Sequence, residues 1–194
     1  MRKLLLYLCL IVLLILGIAA YNYNNHTALQ GNASIVPTSL QPVRLQISRL
    51  HIDAGIINVG LTPSGQMDAP VSQAINSPYW TNAFWYDQGA APGQVGNAVI
   101  AGHVDRVGGD PALFWSLGTL KTGDPIYVTA VNQKTFTFIV QRVVAYPVTA
   151  PGDQVLNEIF GPTNERHLNL ITCSGTWTAQ GYDQRLVVFT TQVP

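Results

Sequence analysis

Charge is what this sequence has least of. Asp, Glu, Lys and Arg make up 10% of its 194 residues and sum to a formal net charge of zero, against roughly a quarter in an average soluble domain. After Lys3 the basic residues are scattered singly, with no block or stripe. That removes the electrostatic footprint of a nucleic-acid binder. No internal repeat or heptad is present, which excludes solenoids and coiled coils. Cysteine is also scarce: Cys9 and Cys173 are the two in the chain. Cys9 lies inside an apolar run and Cys173 does not, so neither a disulfide framework nor a Cys/His metal spacing can be drawn. No acidic cluster could supply the six or more oxygens that calcium takes. We therefore expect no metal and no cofactor.

One long apolar run exists. Arg2-Lys3 precede Leu4–Ala20, and no further positive charge follows until Arg44. This asymmetry orients a single span with its N-terminus inside and the rest of the chain outside. We expect a membrane anchor over residues 1–21, spanning with residues 4–20. The run is short for a spanning helix, and Gly17-Ile18-Ala19 resembles a small-x-small site, so a cleaved signal segment stays open. Residues 22–42 are polar, contain Pro and Gly and lack periodicity, as a linker does. Residues 43–194 are then one exported domain of ordinary size. A lone exported cysteine calls for a reason, because oxidising compartments favour disulfides or no cysteine.

From residue 43 the pattern is that of strands. Val43, Leu45 and Ile47 alternate with polar residues. Further runs are Ile56–Leu61, Asn97–Val104, Pro125–Val131, Thr135–Val144, Leu168–Thr172 and Leu186–Thr191. β-Branched and aromatic residues dominate them, and Gly, Pro, Asn and Asp separate them. Short helices are expected at Pro111–Leu117 and Asp153–Phe160. Many short strands with turn punctuation predict an all-β barrel or sandwich.

Three residues could carry chemistry. Cys173 follows Leu170-Ile171-Thr172 and precedes Ser174-Gly175, a strand end meeting a flexible loop. A thiol is little ionised at neutral pH and needs a partner. His103 is the best one. It ends the apolar strand Ala98–Ala101, and Gly102 before it permits close approach of another backbone. Arg185 opens the last strand and offers several donors to a developing oxyanion. Taken singly, each also reads as an ordinary residue: an inert thiol, a structural histidine, a surface charge beside Asp183.

Together they resemble something specific. His, then Cys about seventy residues on, then Arg about twelve further, each at a strand end, is similar to the sortase family of cysteine transpeptidases. Asn169-Leu170-Ile171-Thr172-Cys173 resembles its T-L-x-T-C signature, with Asn169 where the leading Thr stands. Gly96–Asp105 resembles its histidine segment. Met67-Asp68-Ala69-Pro70, Trp85-Tyr86 and Pro92-Gly93 resemble the class F branch, with class E the next closest.

The resemblance implies a sortase-like eight-stranded β-barrel with short helices, preceded by one N-terminal transmembrane helix. It implies a bacterial, single-pass enzyme with its catalytic domain outside the cell membrane. Its substrates would be secreted proteins with a C-terminal Leu-Pro-x-Thr-Gly-like signal, and its acceptor a peptidoglycan precursor or cross-bridge amine. Carried over, Cys173 is the nucleophile, His103 the proton donor and Arg185 the oxyanion or backbone ligand. Thr172 would help orient the intermediate. Asp105 would orient the imidazole, or it is a solvated loop acid.

Two other readings compete. L,D-transpeptidases want a His-Gly pair just before the cysteine, where this chain has Ile171-Thr172, and papain-like enzymes place Cys before His. A catalytically silent anchored β-domain that binds peptide or glycan is the non-enzymatic reading.

Overall fold

The computed structural model describes residues 38–149 and 152–194. The anchor, and all but the end of the linker expected over residues 22–42, lie outside the described residues. Among the described residues no helix is long and apolar enough to cross a membrane.

Eight strands close into a barrel in the order β1-β2-β3-β4-β7-β8-β6-β5, with β5 paired back to β1. They are β1 (Pro42–Ile47), β2 (Ile52–Val59), β3 (Ala83–Tyr86), β4 (Gly96–Ala101), β5 (Pro125–Ala130), β6 (Thr135–Pro147), β7 (Arg166–Thr178) and β8 (Gly181–Val193). Two neighbouring pairs, β2–β3 and β4–β7, are parallel, and the others are antiparallel. The helix α1 (Asp153–Phe160) carries the chain from β6 to β7. Closure removes the exposed edges that open sheets must protect.

Inward-facing residues fill the barrel. Leu45, Ile47, Ile100, Phe138, Leu168 and Leu170 are fully buried in one cluster. A second cluster of Val99, Val187, Phe189 and Ile159 lies outside the barrel wall, with α1 over it. β4 is therefore covered on both faces, which is why its sequence is a continuous apolar run rather than an alternation. Asn169, 1% exposed, fixes the helix to the wall. Its amide donates to the Ile159 carbonyl at 2.8 Å and to Asn97 Oδ1 at 3.1 Å, and Asn97 donates to the Gly161 carbonyl. These bonds satisfy carbonyls at a helix C-terminus that otherwise lack partners. They also account for Asn169 at the head of the cysteine segment.

Several expectations need correction. Pro111–Leu117 is not helical. The Ala112, Leu113 and Phe114 N–H groups donate to the carbonyls of Val104, Trp80 and His103, and a turn leads into a short 3-10 helix at Leu117–Thr119. β3 was not marked in the sequence beyond Trp85-Tyr86. Val43 is exposed, because the β1–β5 register shifts between Pro42 and Arg44. β7 and β8 run past the expected ends, so Cys173 sits within a strand and Arg185 four residues inside one.

Candidate active site

Cys173 lies on β7 between β4 and β8. On the β4 side the parallel register pairs Ala101 with Ile171. The Thr172 hydroxyl, buried, donates to the Gly102 carbonyl at 2.9 Å. His103, the next residue after Gly102, therefore emerges from β4 level with Cys173. On the β8 side Cys173 and Arg185 are direct register partners. The pairing then breaks between Ser174 and Trp177. Such a bulge increases twist and re-aims side chains, and this one lies immediately past the thiol.

Gly102 is needed for a close approach, but from a ring rather than from backbone. A Cβ there would stand 2.5 Å from the buried Phe114 ring. Beyond it, the His103 backbone carbonyl accepts from Phe114 N–H, and Val104 accepts from Ala112. The imidazole packs against Trp80 and Phe84 at 4.9 and 5.4 Å between centroids. Its Nε2 lies 2.9 Å from the Pro70 carbonyl. A carbonyl only accepts, so Nε2 carries the proton and the lone pair of the neutral ring is on Nδ1. The Met67–Pro70 segment is itself held by a Leu61–Met67 bridge and by Asp68 N–H donating to the Gly60 carbonyl.

Arg185 is exposed, and one end of its guanidinium is committed to the hairpin. Nη1 donates to the carbonyls of Tyr182 at 3.1 Å and Gln184 at 2.9 Å. Asp183 accepts the Thr176 N–H instead of pairing with it. The other guanidinium donors are left for a ligand.

Asp105 does not orient His103 by a hydrogen bond in this structure. Its Oδ2 accepts from the Tyr182 hydroxyl at 2.6 Å. That bond and burial together push the Tyr182 phenol up to about 12, so it stays a donor at neutral pH. Asp105 is fixed on a small hairpin by its bridge to Pro111 and by Arg106 N–H donating to Asp110.

A cleft of about 300 Å3 opens over Cys173, walled by Val104, Phe114, Trp115, Tyr182 and Leu186. The half-buried thiol is pushed above its ordinary pKa by burial; Arg185 opposes the shift and Asp105 adds to it. The resting sulfur is a protonated thiol at neutral pH, and its proton must leave when it attacks. The larger depression, about 610 Å3, lies along α1 and holds none of these residues.

The sortase domain model matches residues 45–193. The chain belongs to the sortase family. No curated protein sequence matches it significantly. Among solved structures it is similar to sortase A from Corynebacterium diphtheriae (20% identity, TM-score 0.57), covering 79% of this chain and 62% of that one. It therefore spans less than two thirds of that chain's length. Sortase C-1 from Actinomyces oris matches with 19% identity and TM-score 0.58 over 87% of this chain and 81% of that one. Sortase C from Clostridium perfringens SM101 matches with 15% identity and TM-score 0.54, over 79% and 71%. At these identities the likeness is one of fold.

In this sortase Cys173 on β7 and Arg185 on β8 are register partners, and His103 follows two residues after the end of the adjacent strand β4; Cys173 lines the cleft, and His103 and Arg185 are not among its lining residues. Thr172 is present as a tie between β7 and β4, its hydroxyl already spent on backbone. Tyr182, the Pro70 carbonyl, Phe114 and Trp115 were not singled out as site groups from the sequence. Of these, Met67–Pro70 carried a signal as a segment but not as a partner of the imidazole. The other class F-like stretches fall on packing positions: Trp85 is buried with Nε1 on the Ala90 carbonyl, and Gly93, at φ +95°, lies under the Phe136 ring.

Proposed function

We propose that this sortase is a cysteine transpeptidase of the class F type. It cleaves a Leu-Pro-x-Thr-Gly-like sorting signal and transfers the new acyl end to a cell-wall amine. It works outside the bacterial membrane, anchored through residues 4–20. The observation that supports the reading is the cross-strand register: Arg185 on β8 is the direct partner of Cys173, the parallel β4–β7 ladder runs to Ala101, two residues before His103, and a cleft opens over Cys173.

The chemistry then runs in two halves. The Cys173 proton passes to His103 Nδ1 as sulfur attacks the Thr carbonyl carbon. The guanidinium donors of Arg185 not tied to the hairpin stabilise the oxyanion. The C–N bond breaks and His103 returns the proton to the leaving Gly amine, giving a thioester. An acceptor amine attacks that carbonyl and loses a proton to His103; the C–S bond breaks, releasing the amide, and His103 returns the proton to the Cys173 sulfur. No step requires a cofactor.

The test is mass spectrometry of the full chain after incubation with a library of sorting-signal peptides. An acyl adduct on Cys173 that an added amine discharges to an amide supports the reading. Protection of Cys173 from alkylation by peptide without any adduct or turnover replaces it with a peptide-binding domain. A reporter fused after Pro194 tests the topology: it should work only if it functions outside the membrane, and cytoplasmic activity would refute the anchor orientation.

A further inference from the structure

A carboxylate beside a cysteine nucleophile works against it. Burial and Asp105 both hold the Cys173 thiol protonated, and only Arg185 opposes them. The first half of the proposed reaction gains nothing from this acid. Nor is Asp105 there by accident of a loose loop: its hairpin is bridged at Pro111, and Tyr182 reaches to it past β7 from β8. Strand order separates the charges around the thiol. The carboxylate follows β4 and the guanidinium stands on β8, with Cys173 on β7 between them.

Of the two reacting substrate groups, the scissile amide and the acceptor, the acceptor is the one that arrives charged, as an ammonium that must give up a proton before it attacks. We propose that Asp105 and Tyr182 form the subsite that receives the ammonium group of the incoming acceptor amine. The inference rests on the transpeptidase reading and assigns the second substrate to a place in the same cleft. Tyr182 lines the cleft beside Cys173, so the carboxylate it holds is one hydrogen bond from the cleft wall. Among the described residues the Tyr182 hydroxyl is the hydrogen-bond partner of that carboxylate, through Oδ2, which leaves Oδ1 to a ligand. The phenol donates to Asp105 and keeps its oxygen lone pairs for an N–H donor. Trp177, 69% exposed, stands edge-on to Tyr182 at 5.1 Å between centroids. Aromatic faces beside a carboxylate suit a primary ammonium. Once there, the ammonium releases one proton to water; as the neutral amine attacks, His103, two residues before Asp105 in the chain, takes a second proton from the nitrogen and passes it to the departing Cys173 sulfur.

The experiment compares two nucleophiles on the thioester of the full chain. Triglycine presents an N-terminal ammonium at neutral pH and hydroxylamine is neutral. The readout is the ratio of their kcat/KM values, in which any common effect on acylation cancels. Asp105→Asn keeps an acceptor for the Tyr182 hydroxyl and removes the charge; it should lower the triglycine-to-hydroxylamine ratio about tenfold, or roughly 1.4 kcal/mol. Tyr182→Phe keeps the charge and loses the clasp, and should lower the ratio about threefold. A ratio within about twofold of wild type in Asp105→Asn would overturn the subsite, even if both rates fall, because equal losses mean a structural role. If wild type releases no leaving peptide at all, the transpeptidase reading fails and takes this inference with it; leaving-peptide release with an unchanged ratio overturns the inference alone.

Discussion

Cys173 and Arg185 are cross-strand partners on β7 and β8, and two carbonyls of the same hairpin hold one nitrogen of the guanidinium. Position and direction are thus both set by backbone. Lysine would keep the charge and lose the planar fork, whose one end is anchored to the hairpin and whose other end the proposed reaction turns to the oxyanion. Arg185→Lys should lower kcat/KM by roughly a hundred- to a thousandfold, the usual loss for one oxyanion donor, with thermal stability unchanged. Steady-state kinetics beside a melting curve checks this. Activity within about threefold of wild type, under about 1 kcal/mol, would return Arg185 to an ordinary surface charge.

The same pair governs the thiol. Burial raises the Cys173 pKa, Arg185 lowers it and Asp105 raises it. The rate of alkylation by iodoacetamide should therefore climb with pH to a midpoint above that of a free cysteine, because the thiolate reacts. Arg185→Ala removes the lowering charge and should move the midpoint up; Asp105→Asn should move it down. A midpoint that shifts in the same direction in both variants would show that neither charge acts on the sulfur directly. Cys173→Ala should abolish both alkylation at this site and acyl transfer, leaving the melting temperature near wild type.

The Asn97–Asn169 pair is a structural device beneath the site. Asn169 is buried and its amide bridges Asn97 to the last turn of α1. Asn169→Ala leaves buried partners unsatisfied and should cost about 1–3 kcal/mol by denaturant unfolding. Thr172→Val removes a single buried hydrogen bond to Gly102 and should cost about 1 kcal/mol. If instead Thr172→Val left stability untouched and abolished turnover, the hydroxyl would belong to the substrate and not to the strand tie.

Why these parts of the site differed in legibility is a matter of where their causes lie. The strand before Cys173 was readable because Leu168 and Leu170 face the core in alternation with Asn169 and Ile171, and the strand before His103 because β4 is apolar on both faces. Such local patterns predicted an all-β barrel or sandwich, and the count of eight strands came with the resemblance to sortases. The direct opposition of Cys173 and Arg185 was not legible there, since it depends on a register break between Ser174 and Trp177; Gly175, at φ +84°, sits in that break, but a glycine alone does not say which residues it sets opposite each other. The Asp105–Tyr182 bond joins residues 77 apart in sequence, brought together only by strand order. The helix expected at Pro111–Leu117 failed for a related reason. Its backbone N–H groups found partners on Val104, Trp80 and His103, and Phe114 was needed under Gly102. Tertiary contacts of this kind override local propensity.

The imidazole gives the last prediction. Pro70 accepts from His103 Nε2, so the neutral ring is held as the Nε2–H tautomer, and in the proposed reaction Nδ1 is the nitrogen that exchanges protons. Proline fixes its own φ and biases the residue before it toward extended backbone, which keeps that carbonyl aimed. Pro70→Gly retains the carbonyl and frees its direction. It should lower kcat several-fold, about 1 kcal/mol or more, with KM for the sorting peptide little changed. Nitrogen-15 chemical shifts of the His103 ring should at the same time move from a dominant Nε2–H form toward a mixture of tautomers. His103→Ala should abolish turnover while the thiol remains open to alkylation. A fall in kcat for Pro70→Gly without any change in the ring shifts would assign the loss to movement of the Met67–Pro70 segment itself. Ring shifts that already report Nδ1–H in the wild-type protein would refute the tautomer, and with it Nδ1 as the proton carrier.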